Sequence, residues 1–154
     1  MGCSRPPAYQ QPVKADSPLS FIMWHSDMSE SLTPQEWAWF DLAIQEFKFQ
    51  IMRGGQATGS EAIDAALREK IDGRKLVEVM QLGLDLRLKR IKAAKTELEQ
   101  SILINSRTRI KPGDDERAHA LAEFQENLGK KLAKMTEEIT AAEAEIKALE
   151  LKAK

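Results

Sequence analysis

The apolar residues Leu128, Leu132, Met135, Ile139, Ala142, Ile146 and Leu149 recur at alternating spacings of four and three. A repeat averaging about 3.5 residues keeps one seam toward a partner helix along a left-handed supercoil. It predicts a long helix over about 115–153 that must pack on another helix. The complementary stretch is 74–105. Its first half is apolar nearly all round (Leu76, Val77, Val79, Met80, Leu82, Leu84, Leu86, Leu88), which requires burial on several sides, with Gly83 as a point where another backbone comes close. Its second half holds one apolar face only, Ile91, Ala94, Leu98 and Ile102, among Lys, Arg and Glu. Pro112 and Gly113 interrupt the pattern between the two stretches, so a short connection makes them antiparallel neighbours. Folding about residue 110 would set Ile91 near Leu128, Leu84 near Met135 and Met80 near Ile139.

Upstream, Thr33, Pro34 and Glu36 spell an N-cap, a first-turn proline and the acidic member of a capping box. A helix follows over about 33–52. Its stripe is Trp37, Phe40, Ile44, Phe47 and Ile51, widened by Trp39, Leu42 and Phe49, and Gly54 and Gly55 stop it. Ser60 is expected to cap a further helix over about 60–72, carried by Ile63, Leu67 and Ile71. Residues 1–30 hold Pro6, Pro7, Pro12 and Pro18 between Gln, Ser and Lys, and predict a disordered, proline-rich tether. Within it the apolar cluster Leu19, Phe21, Ile22, Met23 and Trp24 is expected to dock back on the folded part. The expectation is an all-α chain: a single domain over 31–154 made of a small four-helix head and a long antiparallel coiled-coil hairpin.

Composition changes this picture little. The 154 residues are 31% charged and 42% hydrophobic with a net charge of −1, and no apolar run reaches the roughly 18–20 residues of a membrane span. A near-zero balance leaves only local patches to attract an anionic partner. One such patch is a basic arm. In the register above, Arg87, Lys89, Arg90, Lys92 and Lys95 face Lys130, Lys131 and Lys134, and Arg107, Arg109 and Lys111 extend the cluster to the connection. The leading reading of this cluster is an ordinary solvated helix face; an acidic protein or lipid surface comes next, and nucleic acid last, since no aromatic residues interleave with these cations for base stacking.

Candidate chemistry is sparse. Residues 54–60 carry glycines at the spacing of a phosphate-binding loop, but Ser60 stands where its lysine belongs and a helix, not a strand, precedes it. Glu116 and His119 form one Glu-x-x-His pair, whereas a di-iron bundle needs two, and Ile22 stands three residues before the other histidine, His25. No catalytic, cofactor or metal site is expected, and no enzyme. Cys3 is the single cysteine and has no partner for an internal disulfide. The opening Met1-Gly2-Cys3-Ser4 resembles that of proteins doubly acylated on Gly2 and Cys3, and also the lipid-attachment site of bacterial lipoproteins, though Pro6 departs from the myristoylation pattern. That resemblance implies lipidation at Cys3. The leading expectation is a non-enzymatic interaction or assembly protein that presents its coiled-coil arm to a protein partner or to itself. A membrane-tethered adaptor or lipoprotein comes second, and a nucleic-acid-binding accessory protein third.

Overall fold

A computed structural model of the chain describes residues 7–153. Among them are a 3-10 turn, Ala8–Gln10, and five α-helices: α1 Pro18–Ser29, α2 Pro34–Arg53, α3 Ser60–Ile71, α4 Leu76–Ser106 and α5 Asp115–Ala153. The described residues are all-helical, with one isolated antiparallel bridge among them, Pro12 to Lys75, in place of a sheet. It divides into two compact units, one up to Arg87 together with Glu145 onward, the other Leu88–Ala144. Cys3 lies outside the described residues.

The first unit departs from the tether expected over residues 1–30. Val13 and Ala15 are buried at 1% exposure each. Their backbone is pinned to the α3–α4 turn: Val13 N–H donates to the Arg74 carbonyl at 2.8 Å, Gly73 N–H to the Val13 carbonyl at 2.9 Å, and Leu76 N–H to the Gln11 carbonyl at 2.9 Å. Ala15 N–H donates to Asp72 Oδ1 at 2.7 Å. Proline-rich sequence favours extended backbone, and extended backbone with a partner is an ordered bridge. Helix α1 then starts at Ser17, whose hydroxyl accepts from Ser20 N–H, with Pro18 in its first turn. It buries Trp24 and Met28 and exposes Leu19, Ile22 and Met23, so the apolar cluster is split between the two faces of one helix.

In α2 the capping box forms in full, Thr33 accepting from Glu36 N–H and the Glu36 carboxylate accepting from Thr33 N–H at 2.8 Å. The same carboxylate receives Lys152 Nζ at 2.8 Å, so the end of α5 is fastened to the start of α2. Burial alone would raise the Glu36 carboxyl pKa, but the hydrogen bonds from Lys152 and Thr33 outweigh it and hold the group below 4.5. A depressed carboxylate contributes stability above its unfolded value and loses it as pH falls through the folded one. Glu36→Gln retains a capping residue but loses the charge, so it should cost about 1 kcal/mol at pH 7. Because Lys152 is partly solvent-exposed, a larger loss is not expected. Urea titrations of both proteins between pH 7 and pH 3 should show that gap closing below about pH 4.5; a gap constant with pH would remove the charge as its cause.

The buried face of α2 is Glu36, Trp39, Phe40, Ala43, Glu46, Phe47 and Ile51. It is rotated from the expected Trp37, Phe40, Ile44, Phe47 and Ile51 stripe, and Trp37 and Ile44 are half-buried. Ala43 on this face lies against Gly83 of α4: a Cβ built on Gly83 would fall 2.4 Å from the Ala43 Cα. Two small residues let the helices approach there, and hydrophobicity does not mark small residues. Gly59, at φ 91°, occupies the cap of α3 expected of Ser60. The core joins Val13, Trp24, Phe40, Ile51, Leu67, Ile71, Leu76, Met80, Leu84 and Leu149. Helix α4 is less enclosed than its composition suggests, since Leu82 is 40% exposed.

Candidate interaction surface

The second unit, Leu88–Ala144, contains most of the residues expected to form the seam and the basic arm. On α5, Leu128, Leu132, Met135 and Ile139 are half-buried and Ala142 is buried; in the first unit Ile146 is half-buried and Leu149 buried. Each of the seven positions is thus buried or half-buried within its own unit. Within the second unit the α4 positions that are buried or half-buried are Leu88, Arg90, Ile91, Ala94, Lys95, Leu98, Ile102 and Asn105, so the expected face of Ile91, Ala94, Leu98 and Ile102 is flanked by polar members. Lys95 and Asn105 were not legible as members because they are polar. Lys95 holds its place with a side chain 30% exposed and paired to Glu99 at 3.6 Å, its aliphatic stem lying inward and its ammonium reaching out.

The register differs from a fold about residue 110. Lys92 Nζ meets Glu143 Oε1 at 2.7 Å and Gln125 Nε2 donates to the Asn105 carbonyl at 3.4 Å. Ile91 therefore stands level with the region of Ala142, about four helical turns beyond the Leu128 expected opposite it. The reason is the α4–α5 connection. Instead of reversing symmetrically it runs beside the first turns of α5, where Ile110 shares a notch with Leu121 and Phe124.

This shift dissolves the expected facing of like charges. Arg87 pairs with Glu145 at 3.3 Å, Lys92 with Glu143, Lys95 with Glu99, and Lys130 with Glu126 at 2.6 Å. Lys89, Lys131 and Lys134 are exposed, and Arg90 has a partner of its own. Such pairs on exposed helices contribute only about 0.2–1 kcal/mol each, but each sets a carboxylate beside one of the cations expected to face a like charge. At the connection the situation reverses. Arg107, Arg109 and Lys111 are exposed, and none of them makes an ion pair among the described residues.

The other candidates keep to simple roles. His119 is exposed and lies 3.7 Å from Glu123. Residues 54–60 form a turn with Gly55 and Gly59 at positive φ. Among the described residues no three His, Cys, Asp or Glu side chains gather as metal ligands, and no helix is long and apolar enough to cross a membrane. Comparison with known proteins finds no matching family model, no similar curated protein and no similar solved structure.

Proposed function

We propose that this chain is a non-enzymatic interaction protein, in which α4 and α5 form an antiparallel coiled-coil arm offered to a protein partner or to a second copy. The observation that carries this reading is the incomplete cover of the α5 seam. Four successive members, Leu128, Leu132, Met135 and Ile139, are only half-buried, while the α4 row contributes a lysine at 95 and an asparagine at 105. Apolar surface left in water loses about 25 cal/mol per Å² relative to burial, and a further helix laid along the seam would recover it. Sedimentation equilibrium over a wide concentration range tests the self-association branch. A photoreactive side chain at Ala133 or Thr136, in the chain expressed in its native cells, tests the heterologous branch. The expected result is a species heavier than one chain, or one discrete cross-linked protein, and its loss in Leu132→Lys. A strict monomer with no specific cross-link would end the proposal.

A second reading, membrane attachment through an acylated Cys3, draws support from α1. That helix turns Leu19, Ile22 and Met23 to solvent at 66%, 65% and 59% exposure, an apolar face suited to lie in a lipid interface beside an anchor. Mass spectrometry of the N-terminal peptide from natively expressed protein decides it, since an unmodified peptide removes the anchor.

A further inference from the structure

Of the eleven cations read as one basic arm, Arg87, Lys92, Lys95 and Lys130 pair with carboxylates, whereas Arg107, Arg109 and Lys111 cluster within five residues of the connection without an ion pair among the described residues. Beside them is an open notch of about 450 Å³, within the range of sites that accept small groups or side chains. Its apolar wall is Ile110 from the connection and Leu121 and Phe124 from α5; Arg109, Lys111 and Arg117 stand on its rim. Phe124 is 48% exposed. A large aromatic kept half in water next to an apolar hollow is what an anchoring contact leaves behind when its partner is absent.

Of the rim cations, Arg117 is the one with a carboxylate in reach among the described residues. Asp114 caps α5, accepting from Arg117 N–H at 3.3 Å, and its other oxygen reaches the Arg117 guanidinium only at 4.0 Å. Asp115 and Glu116 occupy the first turn of α5, where the positive end of the helix favours them.

We propose that this notch binds a short segment of a partner protein in which a bulky apolar side chain is flanked by carboxylates. The apolar side chain would fill the hollow against Ile110, Leu121 and Phe124, and the carboxylates would meet Arg109, Lys111 and Arg107, giving orientation and a faster encounter. This rests on the reading of the chain as an interaction protein and names the chemistry of its partner. It adds a recognition site at the connection, separate from the seam. A protein segment fits this short cluster better than a nucleic acid, which would need cations spread along a strand and stacking partners between them.

The test uses the full chain and two fluorescent twelve-residue helical peptides with leucines at alternating spacings of three and four, one with glutamate and the other with lysine at the remaining positions. Anisotropy should show binding of the glutamate peptide alone. Phe124→Ser should weaken it at least about tenfold, and the double variant R109E/K111E should weaken it similarly while allowing the lysine peptide to bind. These side chains are exposed, so circular dichroism and thermal unfolding should be unchanged. Leu132→Lys, the variant that tests the seam, should leave peptide binding intact, so the two ideas fail separately. Equal binding of both peptides, no binding, or indifference to the notch variants would overturn the proposal. So would oligo(dT) binding more tightly than the peptide and losing affinity on R109E/K111E, or a dimer of the chain that Phe124→Ser dissociates.

Discussion

Replacing Phe40 by alanine should destabilise the chain by about 3–5 kcal/mol, the range for removing a fully buried phenylalanine. Phe40 is 1% exposed and its ring is the hub of an aromatic cluster, 5.6 Å from Trp24 and 5.7 Å from Trp37 between centroids. Trp24 belongs to α1, so Phe40 is also what receives the helix that the proline-rich sequence conceals. Truncation removes both the transfer free energy and the contacts that the neighbouring rings would leave facing a void. The midpoint of thermal unfolding followed by tryptophan emission should fall by roughly 6–20 °C, from about 2–4 °C per kcal/mol at this chain length. The emission maximum of the folded protein should shift to the red as Trp24 and Trp37 gain water. A loss under about 1 kcal/mol would mean that α1 is not seated as described.

Gly83→Ala and Gly129→Ala should move stability in opposite directions, although the chemical change is the same. Both glycines are within long helices, where alanine is favoured by about 1 kcal/mol. At Gly129 a Cβ meets nothing within 4 Å, so that gain should appear almost whole. At Gly83 the Cβ would sit 2.3 Å from the Ala43 Cβ and 2.4 Å from its Cα, and Ala43 is at 0% exposure. Backbone cannot step aside as a flexible side-chain end can, and overpacking of about 3 kcal/mol or more is expected. The net is a loss of about 2 kcal/mol for Gly83→Ala against a gain of up to about 1 kcal/mol for Gly129→Ala. Chemical denaturation of the two variants checks this directly; stabilisation by both would show that α2 and α4 do not approach at that point.

These sites also mark how far the sequence could be read. The start of α2 was legible because Thr33, Pro34 and Glu36 act on one another within a single turn, and local chemistry of that kind needs no knowledge of the fold. The seven positions from Leu128 to Leu149 were legible as buried or half-buried because they repeat at helical spacing. Gly83 could be marked as a place of close approach, but not its partner: Ala43 is small and carries no hydrophobic signal. For the candidate surface, the eleven cations were visible as residues, but their division into paired and unpaired groups was not, since Lys92 finds Glu143 only through the register. The notch was missed because its wall joins Ile110, in an irregular connection, to Leu121 and Phe124, which lie ahead of the first seam residue.

What the sequence determined by itself was the all-helical class, because caps and periodicity are interactions among residues a few positions apart. The tertiary structure alone decided that residues 11–15 are bound to the α3–α4 turn, that α2 sets Ala43 against Gly83, and that α4 and α5 slide several turns from the symmetric register. Each of these is an agreement between segments distant along the chain, and its energy depends on shape and on backbone partners that no single segment carries.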